Sequence, residues 1–85
     1  MKQVEIYTKS WCPYCHRAKG LLDARGLAFD EIDVTDDGAR EQEMMRRSQR
    51  GTVPQIFVDG EHVGGFDDLL ALQASGELDG VVVRG

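Results

Sequence analysis

The 85-residue chain carries 10 basic against 15 acidic residues, for a formal net charge of −5, and 41% of it is hydrophobic. That balance argues against nucleic acid as a partner, no apolar run is long enough to span a membrane, and the length fits one domain, 1–85, able to bury about 60–65% of its unfolded surface. Met1 leads directly into a strand-like segment without the apolar run of a signal peptide, so the expected compartment is cytoplasmic, where structural disulfides are unusual.

"QVEIYT" alternates Val4 and Ile6 against Glu5 and Tyr7 and reads as a strand. Pro13 suits the first turn of a helix; Ala18, Leu21 and Leu22 follow at helical spacing, and Gly26 is the expected stop. "LAFDEIDV" supplies a second strand with Phe29, Ile32 and Val34. "TDDGAREQEMMRRSQRG" opens on the N-cap candidates Thr35, Asp36 and Asp37, sets Met44 and Met45 as core or half-core fillers, and is expected to end at Gly51. "VPQIFVDGEHVGG" reads as a hairpin turning at Asp59-Gly60. "FDDLLALQASG" places Phe66, Leu69, Leu70 and Ala74 at helical spacing and stops at Gly76. The tail "ELDGVVVRG" reads either as a last helical turn or as an extended cap, with Leu78 and the valines packing on the sheet.

The order is β-α-β-α-β-β-α. The first two strands are joined by a helix and should be parallel, with a right-handed crossover. The expectation is an α/β fold: a four-stranded mixed sheet, three main helices, and helices on both faces.

The only two cysteines, Cys12 and Cys15, lie in "KSWCPYCHRA". A zinc site needs four ligands; the chain adds only His16 and His62, and His16 directly follows Cys15, a poor geometry for shared coordination. A structural disulfide across so short a loop closes little chain entropy. A working dithiol is left. A C-x-x-C pair near a βαβ pattern points to a thioredoxin-like redox motif. Cys12 would sit just before the helix, where backbone N–H groups and the macrodipole favour its thiolate, the accessible nucleophile. Lys9 adds positive potential. Cys15, one turn inside the helix, is positioned to attack the Cys12 sulfur. His16 and His62 read as ordinary surface residues, and Trp11 as exposed packing beside the site.

Three separated motifs agree in order and spacing. "CPYC" preceded by "YTKSW", "TVP" at 52–54 and "GGFDD" at 64–68 together resemble a glutaredoxin of the small bacterial dithiol type. The resemblance covers nearly the whole chain and implies the thioredoxin fold. It also implies that Pro54 is cis and faces the Cys pair, that the Val53 backbone pairs with the backbone of a thiol substrate, and that Thr52 helps frame the groove. Without it, Pro54 marks a strand edge, Thr52 is a β-former, and "GGFDD" is a turn followed by a cap from Asp67 or Asp68.

The implied ligand is glutathione. The N–H groups of Phe66 and Asp67 at a helix start would take its γ-glutamyl carboxylate, and the Asp67 side chain its ammonium. Lys9 is the best candidate for the glycyl carboxylate, Arg40 a weaker one; Arg46, Arg47 and Arg50 read as a solvated face. Tyr14 either lines the groove beside the Cys12 sulfur or is a half-exposed helix-start aromatic.

The resemblance implies a glutathione-dependent thiol–disulfide oxidoreductase acting on protein–glutathione mixed disulfides and protein disulfides, with Cys12 as nucleophile and Cys15 resolving. Glutathione would be cosubstrate, with no cofactor and no metal, and the chain a monomer. Two alternatives stand beside it. One is a [2Fe–2S] cluster carrier, although relatives with that job tend to have glycine in place of Pro13 and serine in place of Cys15. The other is a redoxin reduced by thioredoxin reductase, against which Lys9 and Asp67 argue.

Overall fold

The protein's structure, a computed structural model, describes residues 2–81. Its elements are β1 (Val4–Thr8), α1 (Pro13–Ala24), β2 (Phe29–Asp33), α2 (Gly38–Ser48), β3 (Gln55–Val58), β4 (Glu61–Gly64) and α3 (Phe66–Ala74). The expected element order holds throughout.

The strands lie in the order β2-β1-β3-β4. β1 and β2 are parallel, with Ile6 opposite Glu31; β1–β3 and β3–β4 are antiparallel. Alternation along β1 sends Val4 and Ile6 to one face and Tyr7, with its odd-numbered neighbour, to the other. On the first face they meet Ala18 and Leu22 of α1, Ile56 and Val58 of β3, and Leu69 of α3. On the second, Tyr7 and Phe57 pack with Val34 and with Met44 of α2. Helices therefore cover both faces.

The hairpin turns at Asp59 (φ +52°) and Gly60 (φ +80°), the paired left-handed conformations that match strand twist. α1 ends with Gly26 in the left-handed region, as expected. α2 does not run to Gly51. It stops at Ser48, because Gln49 itself turns left-handed (φ +60°) and its Nε2 donates to the Arg46 carbonyl at 2.8 Å, taking one of the helix's orphan acceptors.

Two adjacent pairs split between core and solvent. Met44 is buried while Met45 is exposed, and Leu69 is buried while Leu70 is exposed, since neighbours on a helix point about 100° apart. Ala74 is also exposed, and the inward stripe of α3 is completed by Phe66 and Leu72 instead. After α3 the chain runs through turns, with no further helix among the described residues; Leu78 and Val81 enter the core, and Val81 bridges Lys2 in parallel. Val82 and Val83 lie outside the described residues. No helix among the described residues is long and apolar enough to cross a membrane.

Candidate functional site

The loop between β1 and α1 carries both thiols to the helix start. Cys12 is the N-cap of α1, and its sulfur accepts the N–H of Cys15 at 3.1 Å. A sulfur in that place satisfies one of the orphan donors of the helix start. Pro13 opens the helix, where its missing N–H costs nothing. Across from this turn lies the loop before β3, whose Val53–Pro54 peptide is cis. The Cys12 sulfur is 3.6 Å from the Val53 carbonyl oxygen.

Cys12 is far less open than its position suggests: it is 3% exposed, because the Val53 loop closes over it. Cys15 is fully enclosed. Burial pushes the Cys15 thiol up to about 12, with the hydrogen bond to Cys12 adding to the effect; a backbone hydrogen bond from Lys9 pulls the other way, and the Cys12 charge adds a smaller push upward. Both thiols are free.

A groove of about 260 Å³ starts beside this pair, lined by Tyr14 of α1, by Thr52, Val53, Pro54 and Gln55, and by Gly65, Phe66 and Asp67 at the start of α3, with Arg50 and Asp68 at its edge. The Tyr14 and Phe66 rings are 6.2 Å apart. Gln55, buried beneath the groove, donates from Nε2 to the Thr52 carbonyl (3.0 Å) and hydroxyl (3.3 Å), while its Oε1 meets the His62 ring nitrogen at 2.7 Å.

At α3 the two aspartates divide their work. Asp68 reaches back to accept the Gly65 N–H at 2.9 Å and pairs with Arg50 at 3.3 Å. The Gly65 hydrogen bond is the chief cause that holds its carboxyl below the usual range. Gly64 must lack a side chain here: its φ is +129°, and a Cβ would fall 2.2 Å from the Asp68 carboxylate. Of the two cap candidates, then, Asp68 caps. Asp67 is exposed at the groove, and no residue among those described hydrogen-bonds or ion-pairs with its carboxylate.

The family model described as Glutaredoxin matches residues 4–63. The chain belongs to the glutaredoxin family. It is 57% identical over 79 residues to "Glutaredoxin 3" of Escherichia coli K12, covering 93% of this chain and 95% of that one. Among solved structures, glutaredoxin 1 of Francisella tularensis in complex with cacodylate is 38% identical with a TM-score of 0.79, covering 93% of this chain and 99% of that one. A buckwheat glutaredoxin–glutathione complex is 27% identical with a TM-score of 0.82, covering 92% and 74%. This glutaredoxin therefore has the thioredoxin fold, and its class is thiol–disulfide oxidoreductase.

Within this glutaredoxin, six of the seven ligand-site residues expected from sequence line one groove: Tyr14, Thr52, Val53, Pro54, Phe66 and Asp67. Lys9 does not line it. Its ammonium is 2.7 Å from Glu41 of α2 and 5.7 Å from the centre of the Trp11 ring. Arg40 faces Glu43 at 3.6 Å. Trp11 is two-thirds exposed, and the His16 ring meets the Ser10 carbonyl at 3.0 Å.

Sequence reading missed Arg50, Gln55 and Asp68 as groove residues. Arg50 and Gln55 flank "GTVP", so their nearness in sequence was an available signal. His62 is exposed, as expected, but its ring also lies 5.1 Å from that of Phe57, and partial burial pulls its pKa down. Arg47 also leaves the solvated face assigned to it. It lies 4.0 Å over the Phe57 ring and bonds Glu5 and the Tyr7 hydroxyl, because the polar side of the sheet offers it an aromatic floor and a carboxylate.

Proposed function

We propose that this glutaredoxin reduces protein–glutathione mixed disulfides and protein disulfides with glutathione as cosubstrate and no resident cofactor, acting as a cytoplasmic monomer. The observation that carries the reading is the groove that joins the Cys12 side of the molecule, through Val53, to the unpartnered Asp67 carboxylate at the start of α3. That span suits a ligand with a thiol in its middle and an ammonium and a carboxylate at one end. Val53 offers backbone for strand-like pairing, the α3 start offers N–H groups to a carboxylate, and Asp67 a charge to the ammonium. The glutathione in the buckwheat complex supports the same choice of ligand.

In the reaction, the Cys12 thiolate attacks the glutathione sulfur of a mixed disulfide. The S–S bond to the protein breaks, and that protein leaves as a thiolate that takes a proton from water. A second glutathione thiolate then attacks the Cys12-bound sulfur, giving glutathione disulfide and restoring the Cys12 thiolate. With a protein disulfide, Cys12 first forms a mixed disulfide with the protein. Cys15 then loses its proton, attacks Cys12 and releases the reduced protein; two glutathiones reopen the pair. Burial makes Cys15 a poor nucleophile while Cys12 is free. Once Cys12 is tied up in a disulfide, the Cys12 charge that helps hold the Cys15 proton is gone.

The test is turnover of a glutathionylated peptide with glutathione, glutathione reductase and NADPH, against the same assay with thioredoxin reductase. Activity only with the second would sink the glutathione reading. Cys12→Ser should abolish both activities, whereas Cys15→Ser should keep deglutathionylation and lose the reduction of protein disulfides.

A further inference from the structure

We infer that Glu41 is a specificity-determining residue that competes with the glycyl carboxylate of glutathione for Lys9 and so weakens binding of glutathione-bearing substrates. The inference rests on the glutathione reading above and on Lys9, which stands outside the groove's lining but in the loop that carries Cys12, as the cation for that carboxylate.

The Glu41 carboxylate is 2.7 Å from the Lys9 ammonium, and the two side chains are only 30% and 21% exposed. The backbone of Glu41 is fixed in the first turn of α2, where its N–H donates to the carbonyl of the cap residue Asp37 at 3.0 Å. Lys9 belongs to the loop of the thiols, its carbonyl accepting the Cys12 N–H at 3.1 Å, and its ammonium is further fixed beside the Trp11 ring. The neighbouring Arg40 faces Glu43 instead, so it does not draw Glu41 away. An arriving carboxylate thus meets a lysine whose charge is already answered. It must displace Glu41, or share one ammonium with it and carry the like-charge repulsion. Both routes weaken binding without touching the reacting sulfurs.

The test measures kcat and KM with two substrates under saturating glutathione: a glutathionylated peptide, and the same peptide joined to the glycyl monoethyl ester of glutathione. Glu41→Gln keeps the side chain's shape and removes its charge. It should lower KM for the glutathionylated peptide about two- to fivefold, the range of a partly exposed ion pair. It should leave kcat within twofold and KM for the ester unchanged. Glu41→Ala should move KM the same way, and in a Lys9→Met background Glu41→Gln should do nothing. An unchanged or raised KM in Glu41→Gln, or equal changes on the two substrates, overturns the inference while leaving the glutathione reading intact. A parent protein inactive with glutathione but active with thioredoxin reductase overturns both.

Discussion

Beneath α1 and α3 the sheet buries Val4, Ile6, Ile56 and Val58 against Ala18, Leu22 and Leu69, all apolar. Beneath α2 the buried apolar set is Tyr7, Val34, Met44 and Phe57, and the remaining contacts are polar. There Arg47 donates to both oxygens of Glu5 at 3.1 and 3.2 Å and to the Tyr7 hydroxyl at 2.8 Å, and it lies on Phe57. The Tyr7 hydroxyl also donates to Glu43, which Arg40 approaches from outside. Burial and that carboxylate push the Tyr7 hydroxyl above its ordinary pKa. The dry side holds the helix that carries the thiols, so the sulfurs stand on apolar packing that salt screening barely touches. The polar side holds the helix that supplies Glu41 to Lys9, so that lysine's charge is answered where charged side chains already pair.

Removing volume from the dry side should break the comparison most visibly. Leu22→Ala should cost about 2–5 kcal/mol, since the buried side chain leaves a cavity. Urea unfolding checks it; a loss under about 1 kcal/mol would mean the α1 face is loosely packed. The dry side also holds a proton. In the unfolded chain a cysteine ionises near pH ~8.5, whereas folded Cys15 is pushed up to about 12. The folded state therefore binds more protons between those values. Its contribution is complete below the lower one and declines as pH rises, by about 1.4 kcal/mol per unit. Under reducing conditions the stability difference between the protein and Cys15→Ser should shift by about 2 kcal/mol between pH 8 and 10; a constant difference would show the thiol ionising as in water.

On the polar side the effects should be smaller. Arg47→Ala should cost about 1–2 kcal/mol, for the lost stem packing on Phe57 and the hydrogen bonds, and Arg47→Met should recover part of it by keeping the stem. Equal losses would assign the effect to charge alone. The finest contrast lies within one helix turn. Asp68→Ala should lower stability by about 1 kcal/mol through the lost cap. Asp67→Ala should leave the melting temperature in place and raise KM for a glutathionylated peptide by about fivefold. Unchanged kinetics in Asp67→Ala would remove that residue from the ligand site.

Much of this was legible because it is local. Val4 and Ile6 alternate with Glu5 and Tyr7, Pro13 opens a helix, and Asp59-Gly60 forces a turn; each signal is complete within a few residues. The groove was legible by resemblance, through "TVP" and "GGFDD". What escaped depends on how elements are set against one another. Periodicity cannot choose between Met44 and Met45, or between Leu69 and Leu70, because the choice follows from how the helix is rotated on the sheet. Gln49 ends α2 through its own side chain, where only a glycine was sought. The pairing of Lys9 with Glu41 and of Arg47 with Glu5 joins distant positions that meet only after α2 docks. The shielding of Cys12 likewise comes from a loop 41 residues away.

That shielding has a steric corollary. A cysteine 3% exposed, with a carbonyl 3.6 Å off one flank of its sulfur, is a keyhole. Disulfide exchange needs the three sulfurs nearly in line, so the key must be slender and must enter end-on. A disulfide flush with a folded surface collides with the rim before the sulfurs meet, whereas one on a projecting tail, a fraying end or a tripeptide adduct fits. On the function proposed above, size exclusion at Cys12 would sort oxidised proteins by how far their damaged cysteine stands clear of its own fold.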